Sequence, residues 1–228
     1  MNKLDISDWQ EFRISELFIT EPSKNKLQVP TGASIARKDL VDGDIPRITV
    51  TNFNNGIVGY YKNIDSDNYR VFENFISVSF LGTIFYHPYK ASLDMKVHCL
   101  KLKNKDLNKD IALFLISVIK KHISYFAYND QLSSTVLPQL SILLPVKENK
   151  PDWVYMENYI KALYSKERES ISAVANYVEI PSENRIDIGN WQRFHLYDNE
   201  MFDIDMGTKL DKVKMTSLDP TVNFVGRA

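Results

Sequence analysis

The chain has 228 residues, of which 44% are hydrophobic and 25% charged, and its formal net charge is −1. This balance is typical of a globular protein with a sizeable core, and it excludes a disordered chain and a collagen-like one. No stretch approaches the roughly 18 apolar residues that cross a bilayer, and the N-terminus has no apolar signal core. The single cysteine, Cys99, excludes an intramolecular disulfide and a multi-cysteine zinc site. We therefore expect a cytoplasmic protein without a membrane partner.

Several segments of the first 150 residues predict strands. The predicted strands cover 44–51, 57–61, 75–80, 97–102 and part of 135–145. The first is rich in β-branched residues, and Asn54-Asn55-Gly56 marks a turn between the first and the second. The third and the fourth alternate between apolar and polar side chains. The pattern predicts a β-rich core with turns closed by glycine.

Two helices are predicted, one between the fourth and the fifth of these strands and one after the fifth. The first spans about 111–125, and Asp110 is its expected cap. The second begins near Pro151, since proline is tolerated in the first helical turn, and continues to about Val178 without Gly or an internal Pro. A helix of ~28 residues would be about 40 Å long.

Apolar side chains recur along the second helix at steps of three and four residues. They include Ile160, Leu163, Ile171 and Val174. A small β-rich domain cannot cover a stripe of this length. We therefore expect these four residues to form an interface with another helix, in an antiparallel or bundle-like arrangement.

A short motif is repeated near the two ends of the chain. Trp9-Gln10-Glu11-Phe12 returns as Trp191-Gln192-Arg193-Phe194, and Phe18-Ile19 returns as Phe202-Asp203-Ile204. A domain duplication explains both matches, and the 38 residues of the second copy are too few for a core of their own. The predicted class is α+β. It comprises a mixed β-rich domain with a short helical part at 1–150, a long coiled-coil-like helix at 151–180, and a linker with the incomplete start of a second domain at 181–228.

No catalytic motif is legible in the sequence. The four histidines have no metal-ligand spacing, and there is neither a phosphate-binding loop nor a dinucleotide-binding motif. A methyltransferase or nuclease centre is likewise absent, and Cys99 is interpreted as a small core residue. The sequence favours a chain without catalysis, while an enzyme whose catalytic residues escape inspection stays open as an alternative.

Polar and aromatic side chains cluster at the predicted turns and strand ends. Asn and Gln pair with adenine edges, Arg and Lys pair with guanine, and Tyr and Ser bind phosphates, so these residue types suit DNA recognition. The candidates are Arg37, Lys38, Asn54, Asn55, Tyr61, Lys62, Tyr86, Lys90, Asn129, Gln131 and Ser133. Hairpin geometry alone is an alternative explanation of Asn54 and Asn55, because a tight turn favours Asn and Gly. Residues 1–150 hold 19 Lys and Arg against 16 Asp and Glu, a balance that permits DNA binding without arguing for it.

The order of these segments resembles the specificity subunit of Type I restriction-modification systems, and of related two-subunit restriction enzymes whose modification subunit also cuts. The resemblance covers essentially the whole chain. It rests on Trp9-Gln10-Glu11-Phe12 with Leu17-Phe18, on Ile45-Pro46-Arg47-Ile48-Thr49 followed by Asn54-Asn55-Gly56-Ile57-Val58-Gly59-Tyr60, on Leu143-Leu144-Pro145, on the long helix, and on the restart at Trp191. The common Type I ending, Leu-Pro-Pro-Leu with Glu-Gln opening the helix, is replaced by Leu144-Pro145-Val146 and Pro151-Asp152-Trp153. This ending is closer to the related enzymes with fused cutting and methylating subunits.

The resemblance implies a fold and a function for each part of the chain. Residues 1–150 would be a target-recognition domain for one half of a split site in double-stranded DNA, 151–180 a conserved-region helix, and 181–228 the start of a second recognition domain. The chain itself would hold no cofactor, and S-adenosylmethionine and magnesium would belong to partner subunits. The implied partners are double-stranded DNA, a methyltransferase subunit and a restriction subunit.

Two further hypotheses concern the long helix. Because its partner helix would normally end the second recognition domain, we expect the stripe to pair with the same helix of another chain in a homodimer that favours a palindromic split site. The alternative to DNA recognition is a half-subunit that docks on the methyltransferase, or another protein-interaction module, and barely touches DNA.

Overall fold

This computed structural model describes residues 4–65, 69–123 and 132–177, together with Gly189, Trp191 and Gln192, and for 173–177 it describes the backbone alone. Met1–Tyr177 forms one compact unit. Apart from the three isolated residues, the predicted second copy at 181–228 lies outside the described residues. The predicted α+β class is confirmed, because a mixed strand-rich unit is followed by a long helix.

The strands follow the predicted order, with additional short ones between them. In the described residues they are β1 (Gln10–Arg13), β2 (Glu21–Ser23), β3 (Lys26–Gln28), β4 (Asp42–Ile48), β5 (Ile57–Tyr61), β6 (Val71–Phe72), β7 (Phe75–Ser79), β8 (Ile84–His87), β9 (Ala91–Leu93), β10 (Val97–Leu100), β11 (Ser141–Leu144), β12 (Val146–Lys147) and β13 (Lys150–Pro151). The helices are α1 (Ile14–Leu17), α2 (Lys109–Ile123) and α3 (Trp153–Tyr177), with 3-10 turns at Arg37–Asp39, Asn54–Gly56 and Leu137–Gln139.

Two sheets stack against a helical layer. One sheet has the order β5-β4-β9-β6, with β4 and β9 parallel, and the other has the order β10-β7-β8. The second sheet lies between two cores. Ile76 and Val78 on one face of β7 join a large core that includes residues of α1, α2 and β11, while Phe75 on the other face joins a smaller core with Ile48 and Leu93 of the first sheet.

This layering explains the alternating sequences of β7 and β10. Their sequences alternate, yet every residue of both strands is buried. The small polar residues Ser77 and Ser79 lie on the face toward the smaller core, where hydrogen bonds satisfy their hydroxyl groups. Alternation in these strands therefore separates two buried faces instead of a core face and a solvent face.

Both predicted helix starts are wrong by a short distance. The backbone N–H of Ile111 donates to Oδ1 of Asn108 at 2.9 Å, so Asn108 caps α2 and Asp110 lies inside its first turn. Pro151 belongs to β13, and the cap of α3 is Asp152, whose Oδ1 accepts from the backbone N–H of Tyr155 at 2.9 Å. In both cases a capping residue satisfies one of the first free backbone donors of the helix.

The N-terminal half of α3 packs on its own domain. Met156 is fully buried in the large core, and Tyr159 and Ile160 pack against that core while half-buried. The ring of Tyr159 meets Phe114 of α2 edge-on at 5.9 Å between centroids, and Asn108 donates to a carboxylate oxygen of Glu157 at 2.9 Å. With 25 residues, α3 is about 37 Å long, so α2 covers only its first part. None of the helices in the described ranges is both long and apolar enough to span a membrane.

Arg47 of the Ile-Pro-Arg-Ile segment is buried and has a role within the fold. Its side chain is 3% exposed, and one terminal nitrogen donates to the carbonyl of Ala33 at 2.8 Å and lies 3.3 Å from the carboxylate of Asp94. The other terminal nitrogen donates to the carbonyl of Leu93 at 3.4 Å. Arg47 thereby joins the segment before β4 to the turn after β9.

A close backbone approach requires glycine at position 32. A Cβ atom added to Gly32 would lie 1.9 Å from the carbonyl oxygen of Leu93, a backbone atom that cannot rotate away. We expect Gly32→Ala to lower the free energy of unfolding by about 1–3 kcal/mol, measured by urea denaturation. Gly59→Ala is the matched control, because the atoms nearest to its Cβ belong to the side chain of Tyr61, which can move. Equal urea midpoints for the two variants would contradict this account.

Candidate functional site

The loop that joins β4 to β5 is held in one conformation by hydrogen bonds of its own backbone. The N–H of Thr49 donates to the carbonyl of Gly56 at 2.8 Å, and the N–H of Gly56 donates to the carbonyl of Phe53 at 2.9 Å. The N–H of Phe53 donates to Oγ1 of Thr51 at 3.2 Å. Gly56 is buried and has a φ of +82°, and a Cβ there would lie 3.0 Å from the side chain of Ile48. The base of the loop is therefore closed and packed.

We call Phe53, Asn54 and Asn55 the hairpin tip. Asn54 and Asn55 have φ angles of 47° and 51°, in the left-handed region that asparagine adopts more readily than most residues. Both asparagine side chains are exposed, and Phe53 is 81% exposed. Neither amide side chain has a hydrogen-bond partner within the described part of the chain. The hairpin tip thus presents one aromatic ring and two amide groups to solvent.

Three cations lie at the opposite end of the same hairpin, and we call Arg37, Lys38 and Lys62 the basic end. Arg37 and Lys38 lie in the 3-10 turn before β4, and the backbone N–H of Lys62 donates to the carbonyl of Val41 at 2.8 Å. All three side chains are exposed, whereas the neighbouring Tyr61 is half-buried. β4 has seven residues, so the basic end and the hairpin tip are about 20 Å apart.

The hydroxyl of Tyr86 is used inside the fold. It lies 3.0 Å from Oδ1 of Asn74 and 3.2 Å from the carbonyl oxygen of Leu107, and these two acceptors share its single hydrogen. The ring packs against the large core, and burial is the main cause that raises the pKa of Tyr86. These contacts give the hydroxyl of Tyr86 a structural role inside the fold.

Tyr86 and Asn55 nevertheless line one cleft between the hairpin tip, β8 and α2. Pro88 and Lys109 line the same cleft. Lys90 follows Pro88 in the turn between β8 and β9, and its side chain is exposed. The structure therefore brings the hairpin tip close to the β8–β9 turn.

Ser133 lies apart from the hairpin, in a turn near the end of β7. The residue before it, Leu132, donates its backbone N–H to the carbonyl of Phe80 at 3.1 Å. The hydroxyl oxygen of Ser133 accepts from the backbone N–H of Val136 at 3.2 Å, which gives Ser133 a structural role in this turn. Asn129 and Gln131, the other candidates from this region, lie outside the described residues.

The buried histidines are explained by packing. His87 is fully buried; its Nε2 lies 2.8 Å from Oγ of Ser77 and its Nδ1 lies 3.3 Å from the hydroxyl of Tyr89. Burial lowers the pKa of His87 to about 4, so the ring is neutral at pH 7. Nε2 of His98 pairs with the carbonyl of Leu132 at 3.0 Å, and burial lowers the pKa of His98 as well.

Cys99 is a core residue, as the sequence indicated. Its side chain is buried, and this burial raises the pKa of the thiol. No group of three His, Cys, Asp or Glu side chains within the described ranges has an arrangement that suits a metal ion.

The four residues predicted to form a helix interface differ in exposure along α3. Ile160 is half-buried, and the covered part of its side chain packs against its own domain. Leu163 is half-buried and Ile171 is 66% exposed. The side chain of Val174 is outside the described part of the helix. The uncovered stripe therefore starts at about Leu163.

An aromatic cluster joins the N-terminus to the helices, and the sequence patterns did not predict it. Trp9 lies 5.7 Å from Phe114 of α2 and 6.3 Å from Tyr155 of α3 between ring centroids. Tyr155 stacks on Tyr159 at 6.2 Å. The repeated Trp-Gln-x-Phe motif could have indicated this cluster. A large aromatic residue at the start of each copy of a duplicated unit suggests the same packing position in both copies. Phe53 was also missed, although an aromatic residue beside a turn signal is unusual.

Comparison with known proteins places the chain in a family. The family model described as Type I restriction modification DNA specificity domain matches residues 6–173. The Type II restriction enzyme BgcI specificity subunit S.BcgI from Heyndrickxia coagulans is 33% identical over 162 residues, which are 69% of this chain and 44% of that protein. The chain therefore spans less than half of the length of this curated relative. The family is one of specificity domains, the non-catalytic part of restriction-modification systems, which agrees with the expectation for this chain.

Solved structures share the fold. The HsdS subunit from Thermoanaerobacter tengcongensis superimposes with a TM-score of 0.50 and 11% identity, over 79% of this chain and 42% of that one. A chain from a structural study of complex assembly and conformational transition in a type I restriction-modification system gives a TM-score of 0.51 and 13% identity, over 77% and 43% of the two chains. These identities show likeness of fold alone. With the family match over residues 6–173, we conclude that the chain belongs to the Type I restriction-modification DNA specificity domain family.

Proposed function

We propose that this chain recognises a specific sequence in double-stranded DNA and directs methyltransferase and endonuclease subunits to that site. The family match carries this proposal, because residues 6–173 include the whole β-rich unit and most of α3. In this proposal the chain holds no cofactor. Methylation and cleavage, with their S-adenosylmethionine and magnesium, belong to the partner subunits.

The two ends of the β4–β5 hairpin support the proposal with complementary chemistry. Asparagine side chains such as Asn54 and Asn55 form paired hydrogen bonds with the edge of adenine in the major groove. Cations such as Arg37, Lys38 and Lys62 bind phosphates and fix the position of a protein on the duplex. The separation of about 20 Å exceeds the width of the major groove, about 12 Å. The basic end can therefore contact the backbone while the hairpin tip lies in the groove.

Substitutions at the two ends are expected to have different consequences. Asn55→Ala should weaken binding to the preferred duplex by about 1–3 kcal/mol and relax the choice of one base pair, because an amide contact to a base is lost. Lys38→Ala should weaken binding to every sequence alike and reduce the salt dependence, because a phosphate contact is lost. Fluorescence anisotropy with preferred and scrambled duplexes at several salt concentrations measures both effects. An equal loss on both duplexes for Asn55→Ala would exclude base recognition by this residue.

A second candidate function is docking on a methyltransferase subunit with little DNA binding. Exposed apolar side chains of α3 favour it, since Tyr164 is 44% exposed and Ile171 is 66% exposed. The same surface supports a two-fold homodimer through α3, which would present two identical recognition domains and favour a palindromic split site.

A selection experiment separates these functions. The chain is incubated with a randomised duplex pool, with and without a methyltransferase subunit, and the bound DNA is separated by gel shift and sequenced. Enrichment of one sequence supports DNA recognition. A protein complex that retains no DNA supports docking alone, and modified or cut DNA from the chain alone would show that it is an enzyme.

A further inference from the structure

Phe53 has an unusual position for a phenylalanine. At 81% exposure it is the most exposed large hydrophobic side chain within the described ranges. Single exposed apolar residues are common on protein surfaces, so exposure alone does not assign a role. Two further properties of the loop distinguish Phe53 from the other exposed apolar residues.

The first property is the hydrogen bonding of the loop backbone. The N–H of Gly56 donates to the carbonyl of Phe53, and the N–H of Thr49 donates to the carbonyl of Gly56. These two backbone hydrogen bonds close the loop that carries the ring. Gly56 is buried, and a Cβ atom added to it would lie 3.0 Å from the side chain of Ile48 and 3.7 Å from the ring of Phe85. The ring of Phe53 has no aromatic or cationic partner in the described part of the chain. The backbone thus holds Phe53 outward without any support for the ring itself.

The second property is the chemistry of the neighbours. The amide groups of Asn54 and Asn55 each carry two N–H donors and one acceptor oxygen, and within the described residues none of these is paired. Burying such groups against an apolar protein surface is unfavourable, because their hydrogen bonds to water would be lost. The edges of base pairs offer both donors and acceptors to amide groups. The surroundings of the ring therefore suit nucleic acid better than an apolar partner.

We infer that Phe53 stacks on a base, or inserts at a base step, within the DNA target, while Asn54 and Asn55 bind the adjoining base edges. This inference rests on the proposed function and adds a specificity-determining residue to it. Aromatic rings stack on the faces of all bases, and apolar side chains inserted at a step unstack and bend the duplex. Flexible pyrimidine–purine steps open most easily, so such a step is expected beneath Phe53.

The test uses the duplex enriched by selection, with 2-aminopurine placed at one position after another along it. The fluorescence of 2-aminopurine rises when the base is unstacked. The methyltransferase subunit is present or absent, as it was in the selection that enriched the duplex. With the wild-type chain we expect the fluorescence to rise at one base step. Phe53→Ala should remove this rise and weaken binding tenfold or more, since loss of a stacking aromatic costs about that much. Phe53→Trp should keep both the fluorescence rise and the wild-type affinity, because tryptophan also stacks.

Val58→Ala is the matched control, because Val58 is an exposed apolar residue of the same hairpin and should leave binding unchanged. If Phe53→Ala retains wild-type affinity and the fluorescence rise, the inference is wrong while the proposed function stands. If Phe53→Ala loses binding to the methyltransferase subunit but not to DNA, the ring contacts protein and the inference is also wrong. If selection enriches no duplex at all, the proposed function fails together with the inference.

Discussion

Leu163→Glu together with Ile171→Glu is expected to abolish self-association of the chain through α3. The two residues are eight positions apart, so they lie on the same face of the helix. Leu163 is half-buried and Ile171 is 66% exposed, and Ile171 lies beyond Tyr164, whose ring centroid is 5.5 Å from Nζ of Lys109 of α2. A helix-pairing interface would bury both side chains, and two carboxylates there would lose their hydration without gaining partners.

The matched control is Ser165→Glu together with Ser172→Glu. This variant adds the same charge to exposed residues on the opposite face of α3 and should leave association intact. Light scattering at several protein concentrations measures the mass of each variant. A wild-type chain that is monomeric at every concentration and still binds the methyltransferase subunit one to one would exclude the homodimer and leave α3 as a docking surface.

The unfolding free energy is expected to fall by about 3 kcal/mol between pH 7 and pH 4 because of His87. Burial lowers the pKa of His87 to about 4 in the folded chain, whereas an unfolded histidine titrates near 6.5. Above pH 6.5 both states are neutral and this histidine has no effect. As the pH falls from 6.5 toward 4, only the unfolded state binds the proton, so the folded state is progressively destabilised. The lowered pKa of His98 acts in the same direction.

Urea denaturation at pH 7, 5.5 and 4 measures this dependence. His87→Gln should have a shallower loss of stability with falling pH than the wild type, because glutamine does not titrate. His122→Gln is the control, since it makes the same replacement at an exposed histidine. A wild-type slope in His87→Gln would show that other groups cause the acid sensitivity.

Local sequence patterns predicted the elements well and their surroundings less well. β4, β5 and α2 lie within a few residues of the predicted segments, because β-branched runs and helical spacing are local properties. The burial of both faces of β7 was not predictable from its alternation, since the second core is built by strands distant in sequence. Asn108 and Asp110 are both good capping residues, and the choice between them depends on where the first helical hydrogen bond forms.

The sequence likewise predicted only part of the candidate site. Polar residues at turns identified the exposed Asn54, Asn55 and Lys38, because a turn exposes most of its side chains. The same reasoning included Tyr86, whose hydroxyl is used internally by partners from two other segments. It also passed over Phe53, since the position of a ring at a loop tip depends on hydrogen bonds that residue types do not reveal. Tertiary contacts decide which turn residues are available for binding.

The specificity ratio tests the central claim most directly. The dissociation constant of the chain, with a methyltransferase subunit, is measured for the selected duplex and for a scrambled duplex of equal length at the same salt concentration. Specific DNA-binding proteins prefer their site by about a thousandfold or more, and we predict a ratio in this range that falls when Asn54 and Asn55 are both replaced by alanine. A ratio near one at every salt concentration would contradict the proposed function.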